Sequence, residues 1–235
     1  MDPAAEEYAS ISPYTYVANN PLLFIDPTGE NIVVPLTGEK LGGENTREYQ
    51  QTVLTNLQSL TNDKLGWGKD NSGRDIVVIE ERGAANSDRD LSAGTTLIAG
   101  LIDSPDKHAF IEAPANSDQG NLTVAFSSET SLQSDGTAGE GASSWIRFNP
   151  NDTEGGMNTE GSTSRPANVG LGHELFHAFI NMEGINITNR TNVESDPNRN
   201  QGQPISRTEF VTRFLENFIR QEQGQPLRIL PPENN

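Results

Sequence analysis

Residues 172–179 read Gly-His-Glu-Leu-Phe-His-Ala-Phe. Two histidines, His173 and His177, stand four positions apart, and a carboxylate, Glu174, follows the first. If the stretch is helical, positions i and i+4 share a face with Cβ atoms about 5–6 Å apart. Two imidazoles so placed can bind one zinc ion at roughly 2.0–2.1 Å each. Glu174 is displaced by about 100° around the helix. It then stands beside the ion without binding it, next to the water that the ion would hold. Zinc lowers the pKa of such a water, and a carboxylate takes its proton as the water attacks a carbonyl. The flanks Val169, Leu171, Leu175, Phe176, Phe179 and Ile180 make this a buried helix, and a buried imidazole needs a polar partner. The chain has three histidines, and two of them are in this stretch. Gly172 offers room for close approach of another element just before His173. The competing reading is a structural helix whose two histidines are satisfied by backbone groups.

A catalytic zinc takes three protein ligands and keeps one position open. The chain has no cysteine and no histidine after His177, so the third ligand is a carboxylate, or else His108 from upstream. Glu183 lies six residues after His177, where one class of zinc peptidase carries its third histidine. Ile180 occupies the glycine position of that pattern, which argues against the class. Glu194 and Asp196 lie in a polar stretch further on. The last helical pattern, from Ser206 to about Gln223, offers Glu209 and Glu216, seven apart and on one face. Both also have plain structural explanations. Ser206-Arg-Thr-Glu209 is a capping box. Glu209–Arg213 and Glu216–Arg220 have the spacing of helix-surface ion pairs. For the oxyanion of an acyl-transfer reaction, Tyr49, Asn217, Arg220 and Arg228 are the candidates, since Tyr8, Tyr14 and Tyr16 lie in a separate leading segment. For the two arginines, capping of helix-end carbonyls is the alternative.

The elements that must position these groups follow from periodicity. Alternating apolar runs at 31–36, 75–80, 108–112, 121–126 and 143–148 read as strands. Residues 44–60 carry Tyr49, Val53, Leu54, Leu57 and Leu60 at helical spacing, with Asn45-Thr46 as a cap. Residues 94–101 fit either state. Residues 68–74 and 85–90 read as loops, as do the Gly-rich 127–142, expected to be mobile, and 151–164; both Gly-rich loops are expected to line the cleft. Pro166 suits the first turn of the motif helix, which runs to about Met182 with Gly184 as its stop. Strands first, then an active-site helix and a further helix, is an α+β order. It predicts a small mixed sheet whose edge borders a cleft above the motif helix. Net charge is −17 and the mean hydropathy is −0.59. So acidic a chain argues against a nucleic-acid substrate, and makes basic partner faces plausible. No apolar run approaches the roughly 20 residues that span a membrane. The first basic residue is Lys40, so the start lacks the basic region of a signal peptide.

Two resemblances add to this reading. Asp2-Pro3, Ile11-Ser-Pro-Tyr14, Tyr16-Val17, Asn19-Asn-Pro21 and Phe24-Ile-Asp-Pro-Thr-Gly29 closely resemble the end of the core of Rhs (YD-repeat) proteins. That resemblance implies that residues 1–30 are a remnant closing a β-cage, with a toxin domain at 31–235, and self-cleavage with Asp2 and Asp26 as the acid pair. Ala5 departs from the glycine common there, and both aspartates also read as turn residues. The second resemblance rests on the motif helix and on Glu216-Asn217 through Arg228. They look like the NleD-type effector zinc metallopeptidases, in which a Glu followed three residues later by Thr recurs, here Glu209 and Thr212. It implies a zincin-like domain, secreted and delivered into a target cell, that hydrolyses a protein there. It also implies a cognate immunity protein and the rest of the Rhs cage as partners. The expected ligands are His173, His177 and Glu209, with Glu216 and Glu183 as alternatives and Glu174 as general base. Two rival functions stay open: a zinc amidase or other hydrolase acting on a non-protein substrate, and a non-catalytic binding module.

Overall fold

A computed structural model describes residues 32–36, 41, 43, 45–104, 106–187 and 205–231. Residues 1–30, with Asp2, Ala5 and Asp26, lie outside them, as do Glu194 and Asp196. The order of elements is β1 (Ile32–Val33), α1 (Arg47–Gln58), β2 (Lys64–Lys69), β3 (Asp75–Glu81), α2 (Ser92–Ile102), β4 (Ala109–Glu112), β5 (Leu122–Ala125), β6 (Ser144–Arg147), α3 (Ala167–Met182) and α4 (Arg207–Glu222). The strands form one mixed sheet in the order β2-β3-β1-β4-β6-β5. Pairs β1/β4 and β4/β6 are parallel, and the other three are antiparallel. The fold is α+β and zincin-like, as the pattern predicts.

Period-2 alternation sorts the strand side chains between two faces. Ile32, Val77, Ala109, Ile111 and Ile146 point to the helical side and join the main core with Val53, Leu57, Leu97, Leu101, Val169, Leu171, Leu175 and Ile219. Val33, Ile76, Phe110 and Trp145, their chain neighbours, form a second cluster on the other face. Helix α3 runs through the middle of the main core and packs on α1, α2, α4, β5 and β6. That placement explains why it is apolar nearly all round.

Several local details differ from the pattern-based reading. Gly68 and Lys69 belong to β2, which pairs with β3 through a tight turn at Asp70–Arg74. Its Lys-Leu-Gly-Trp-Gly-Lys sequence shows little β-propensity and is held as a strand by its partner. The undecided stretch at 94–101 is helical, as part of α2. Thr46 alone caps α1. Asn45 instead joins three chain segments: its amide donates to the Pro35 and Ile111 carbonyls, and its oxygen accepts from Ala113 N–H. Pro166 is the N-cap of α3 rather than its first residue. Gly184 has φ +66 and ends α3. The 127–142 loop is tied to that end by bonds from Leu132, Gly139 and Ala142 N–H to the carbonyls of Asn186, Gly184 and Asn181. These bonds anchor a loop whose composition led to the expectation of mobility.

Asp75 opens β3 and gathers Lys69, Arg47 and Gln50 at 2.6, 3.1 and 3.2 Å. Burial alone would raise its pKa, but the bonds from Lys69 and Gln50 and the charge of Arg47 outweigh it and hold the carboxyl below its usual range. A depressed carboxylate contributes stability above its unfolded pKa of 3.8 and loses it as pH falls through the folded value. Asp75→Asn should therefore lower the urea midpoint at pH 7, and the difference from the parent should shrink as pH falls below 3.8. Asn45→Ala leaves two buried carbonyls and an N–H unpaired and should cost about 2–4 kcal/mol in the same measurement.

Candidate metal centre

Helix α3 presents His173 and His177 toward α4. Their ring centroids are 4.9 Å apart, and both Nε2 atoms point at one oxygen. That oxygen, Glu209 Oε2, is 3.6 Å from His173 Nε2 and 3.1 Å from His177 Nε2. One ligand atom from each of the three residues fits within 4.8 Å of the others. Ligand atoms around a tetrahedral ion with bonds of about 2.0–2.1 Å stand roughly 3.3 Å apart. Two nitrogens and a carboxylate oxygen gathered this closely are a donor set that suits zinc.

The far sides of the two rings are held from behind. His173 Nδ1 lies 2.9 Å from Glu216 Oε2, and the Thr212 hydroxyl lies 3.4 Å from His177 Nδ1. A proton fixed on Nδ1 by a carboxylate leaves the Nε2 lone pair free for a metal. The spacing Glu209, Thr212, Glu216 thus serves two levels of one site. Glu209 meets both Nε2 atoms, and Glu216, one helical heptad on, supports one ring from the back. Glu216 is therefore not among the gathered ligand atoms. Glu183 is not either; it is exposed at the C-cap of α3. His108 lies at the start of β4 against Phe110 and Arg74.

Both carboxylates are matched by arginines. Arg213 Nε donates to Glu209 Oε1 at 2.7 Å, and Arg220 Nε to Glu216 Oε1 at 2.7 Å. These are the i,i+4 pairs visible in the sequence, but the Glu216–Arg220 pair is buried and Glu209–Arg213 joins a half-buried carboxylate to a buried arginine instead of lying on a solvated face. Arg228 Nη1 donates to Glu216 Oε2 at 2.9 Å, and Arg165 Nη1 stands 3.8 Å from the same oxygen. Burial alone would raise both carboxyls; the neighbouring His173 and the arginines hold Glu209 and Glu216 far below the usual range. Burial alone would lower His173, but Glu209 and Glu216 outweigh it and, with no ion bound, raise the ring to about 9. Arg228 is pulled down to about 10, chiefly by burial. Donors on Arg165, Arg220 and Arg228 remain without a hydrogen-bond partner among the described residues.

Glu174 is 7% exposed and faces β5. Thr123 Oγ1 donates to its Oε2 at 2.8 Å and lies 3.0 Å from its main-chain oxygen. This contact was not visible in the sequence, where Thr123 is one residue of a strand. A cleft of about 460 Å³ opens over the site, lined by Asn121, Leu122 and Thr123 of the β5 edge, His173, Glu174 and His177 of α3, and Ile205, Ser206, Glu209 and Arg213. Neither Gly-rich loop contributes to that lining. Arg220, Arg228 and Asn217 lie behind the site, and the Tyr49 hydroxyl is bonded to the Glu112 and Phe148 carbonyls. Of the arginines considered, it is Arg213, read from sequence only as an ion-pair partner, that reaches the cleft. A Cβ at Gly172 would meet Ile219 at an ordinary 3.5 Å, so the tight approach expected there is absent; it occurs at Gly170, against the Asn121 amide at 2.9 Å. A second concavity beside α1 is lined by neutral side chains, Gln51, Leu54, Thr55, Gln58, Ser59, Leu65 and Asn86, and offers no acid–base or metal-ligating group.

The family model of the Peptidase_M91 effector proteins matches residues 45–229, from the start of α1 to the segment beyond α4. The chain belongs to the Peptidase_M91 family. Peptidase_M91 is a metallopeptidase family, so the chain carries a peptidase effector domain, and the motif helix and α4 both fall inside the matched stretch. No curated protein and no solved structure is similar enough to count as a match. Among the described residues no helix is long and apolar enough to cross a membrane.

The backing carboxylate gives a direct check. Glu216→Gln should weaken zinc binding by about 10–100-fold in competition with a chromophoric chelator, whereas Glu183→Gln should leave it unchanged.

Proposed function

We propose that this protein is a zinc endopeptidase effector that hydrolyses a protein inside a target cell. The observation that carries the reading is the convergence of His173, His177 and Glu209 on one point, with Glu174 alongside. The three would hold the ion, and a bound zinc supplies a Lewis acid that lowers the pKa of a water. Glu174 takes the proton of the attacking water. The water oxygen bonds to the peptide carbonyl carbon, the C–N bond breaks, and Glu174 delivers the proton to the departing amine nitrogen. Thr123 fixes the carboxylate in place for both transfers. Arg213, at the cleft wall, is the cation best placed to face the oxyanion. Among the described strands β5 ends the sheet, and its outer edge suits an extended peptide laid against Leu122–Ala125. A cleft whose one wall is a strand edge favours polypeptide over a small amide.

Residues 1–30 are read, on their sequence resemblance, as a remnant of an Rhs core, with the peptidase domain at 31–235. Secretion and delivery into the target cell, an immunity protein in the producing cell and the remainder of the cage as partners follow from that reading.

The test combines metal analysis with a peptide library. Purified protein should contain one zinc, lost in His173→Ala. The zinc-loaded protein should cleave peptides, and Glu174→Ala should lower turnover by about 10²–10⁴-fold with zinc retained. Protein without zinc, or cleavage unaffected by Glu174→Ala, would refute the assignment. Cleavage of a small amide but of no peptide would move the activity to the amidase class.

A further inference from the structure

Beyond Gly224, which has φ +64 at the end of α4, the chain doubles back along that helix. Asn217 holds Arg228 by both backbone groups: its amide donates to the Arg228 carbonyl at 3.0 Å, and its oxygen accepts the Arg228 N–H at 2.7 Å. The other side is fastened to the 151–164 loop. Thr159 N–H donates to Leu227 C=O, and Ile229 N–H to Met157 C=O, as a short antiparallel bridge.

The side chains of this segment are arranged against the usual hydrophobic order. Leu227 is 42% and Ile229 46% exposed, while Arg228 between them is 2% exposed. Burial of apolar surface therefore contributes little to seating it. What it buries is a guanidinium, and that guanidinium spans the two carboxylates of the site. Nη1 donates to Glu216 Oε2 at 2.9 Å, and Nη2 stands 4.0 Å from Glu209 Oε1. The oxygen that Nη1 binds is the one that holds His173 Nδ1. The guanidinium lies flat on Gly156, where a Cβ would come within 2.4 Å of Nε. A planar fork can donate to one carboxylate while its other arm faces a second at longer range, an arrangement that a point charge does not reproduce.

We propose that residues 226–229 act as a latch for the metal centre, with Arg228 as the positioning residue. Seating the segment fixes Glu216 against His173 and restrains Glu209, so metal retention is conditional on it. The inference rests on the zinc reading above. It predicts that metal affinity responds to Asn217, a residue that touches neither a ligand nor the backing carboxylate.

The test is zinc dissociation from the full chain, measured by chelator competition, with circular dichroism as the check on folding. Arg228→Met should weaken zinc binding by about 10–100-fold, and Arg228→Lys should recover part of the loss. Asn217→Ala should weaken it by about tenfold, and the double variant should be no weaker than Arg228→Met alone, because both act through one contact. If Arg228→Met fails to fold, Asn217→Ala decides the matter. Folded Asn217→Ala and Arg228→Met proteins that bind zinc within twofold of the parent would overturn the latch and leave the metal site standing. A folded parent that takes up no zinc would remove the metal reading and the latch together.

Discussion

A carboxylate shut away from water sits behind the motif helix, and the surrounding structure is built to keep it charged. An isolated ion in that position would cost several kcal/mol. Glu216 is fully buried and escapes the penalty by accepting from Arg220, Arg228 and His173 at once. Replacing such a network by apolar side chains is often neutral or better for stability, so stability alone does not explain its presence. What the network does is fix one imidazole in one tautomer with one nitrogen facing the cleft. One arginine around Glu216 comes from α4, one from the segment beyond that helix and one from the residue before the α3 cap, so several separate stretches meet at this point.

The charge distribution follows the same logic. The chain has 33 acidic and 16 basic side chains, yet four of its arginines are buried around two glutamates. Positive charge is concentrated behind the site in a molecule that is otherwise strongly acidic. Such a reserve favours negative charge developing in the cleft, where low dielectric walls strengthen the field.

Much of this was legible in the residues, and the exceptions have physical reasons. The motif helix was readable because His173 and His177 share a face amid apolar neighbours. The strands at β3, β4, β5 and β6 were readable because their alternation is clean. Strand β2 was not, since Gly66 and Gly68 dilute its propensity and only pairing with β3 defines it. Glu209 was preferred to Glu216 only through the resemblance, because residues seven apart on a helix have the same direction; their difference lies in depth along the axis relative to α3. The arginines were misread for a related reason. An i,i+4 Glu–Arg pair looks alike on a wet face and in a core, and only the partner surface decides which. Thr123 carried no signal, because contacts from strand to helix depend on tertiary register.

That threonine has a consequence of its own. Its hydroxyl lies 2.8 Å from one oxygen of the Glu174 carboxylate and 3.0 Å from the main-chain oxygen of the same residue, which leaves the other carboxylate oxygen for the proposed proton transfers. The length of the Glu174 side chain then becomes a fixed dimension of the site, which under the proposed function spans from the outermost strand to the reacting water. An aspartate at the same position is one methylene short, and would reach the hydroxyl or the water but not both.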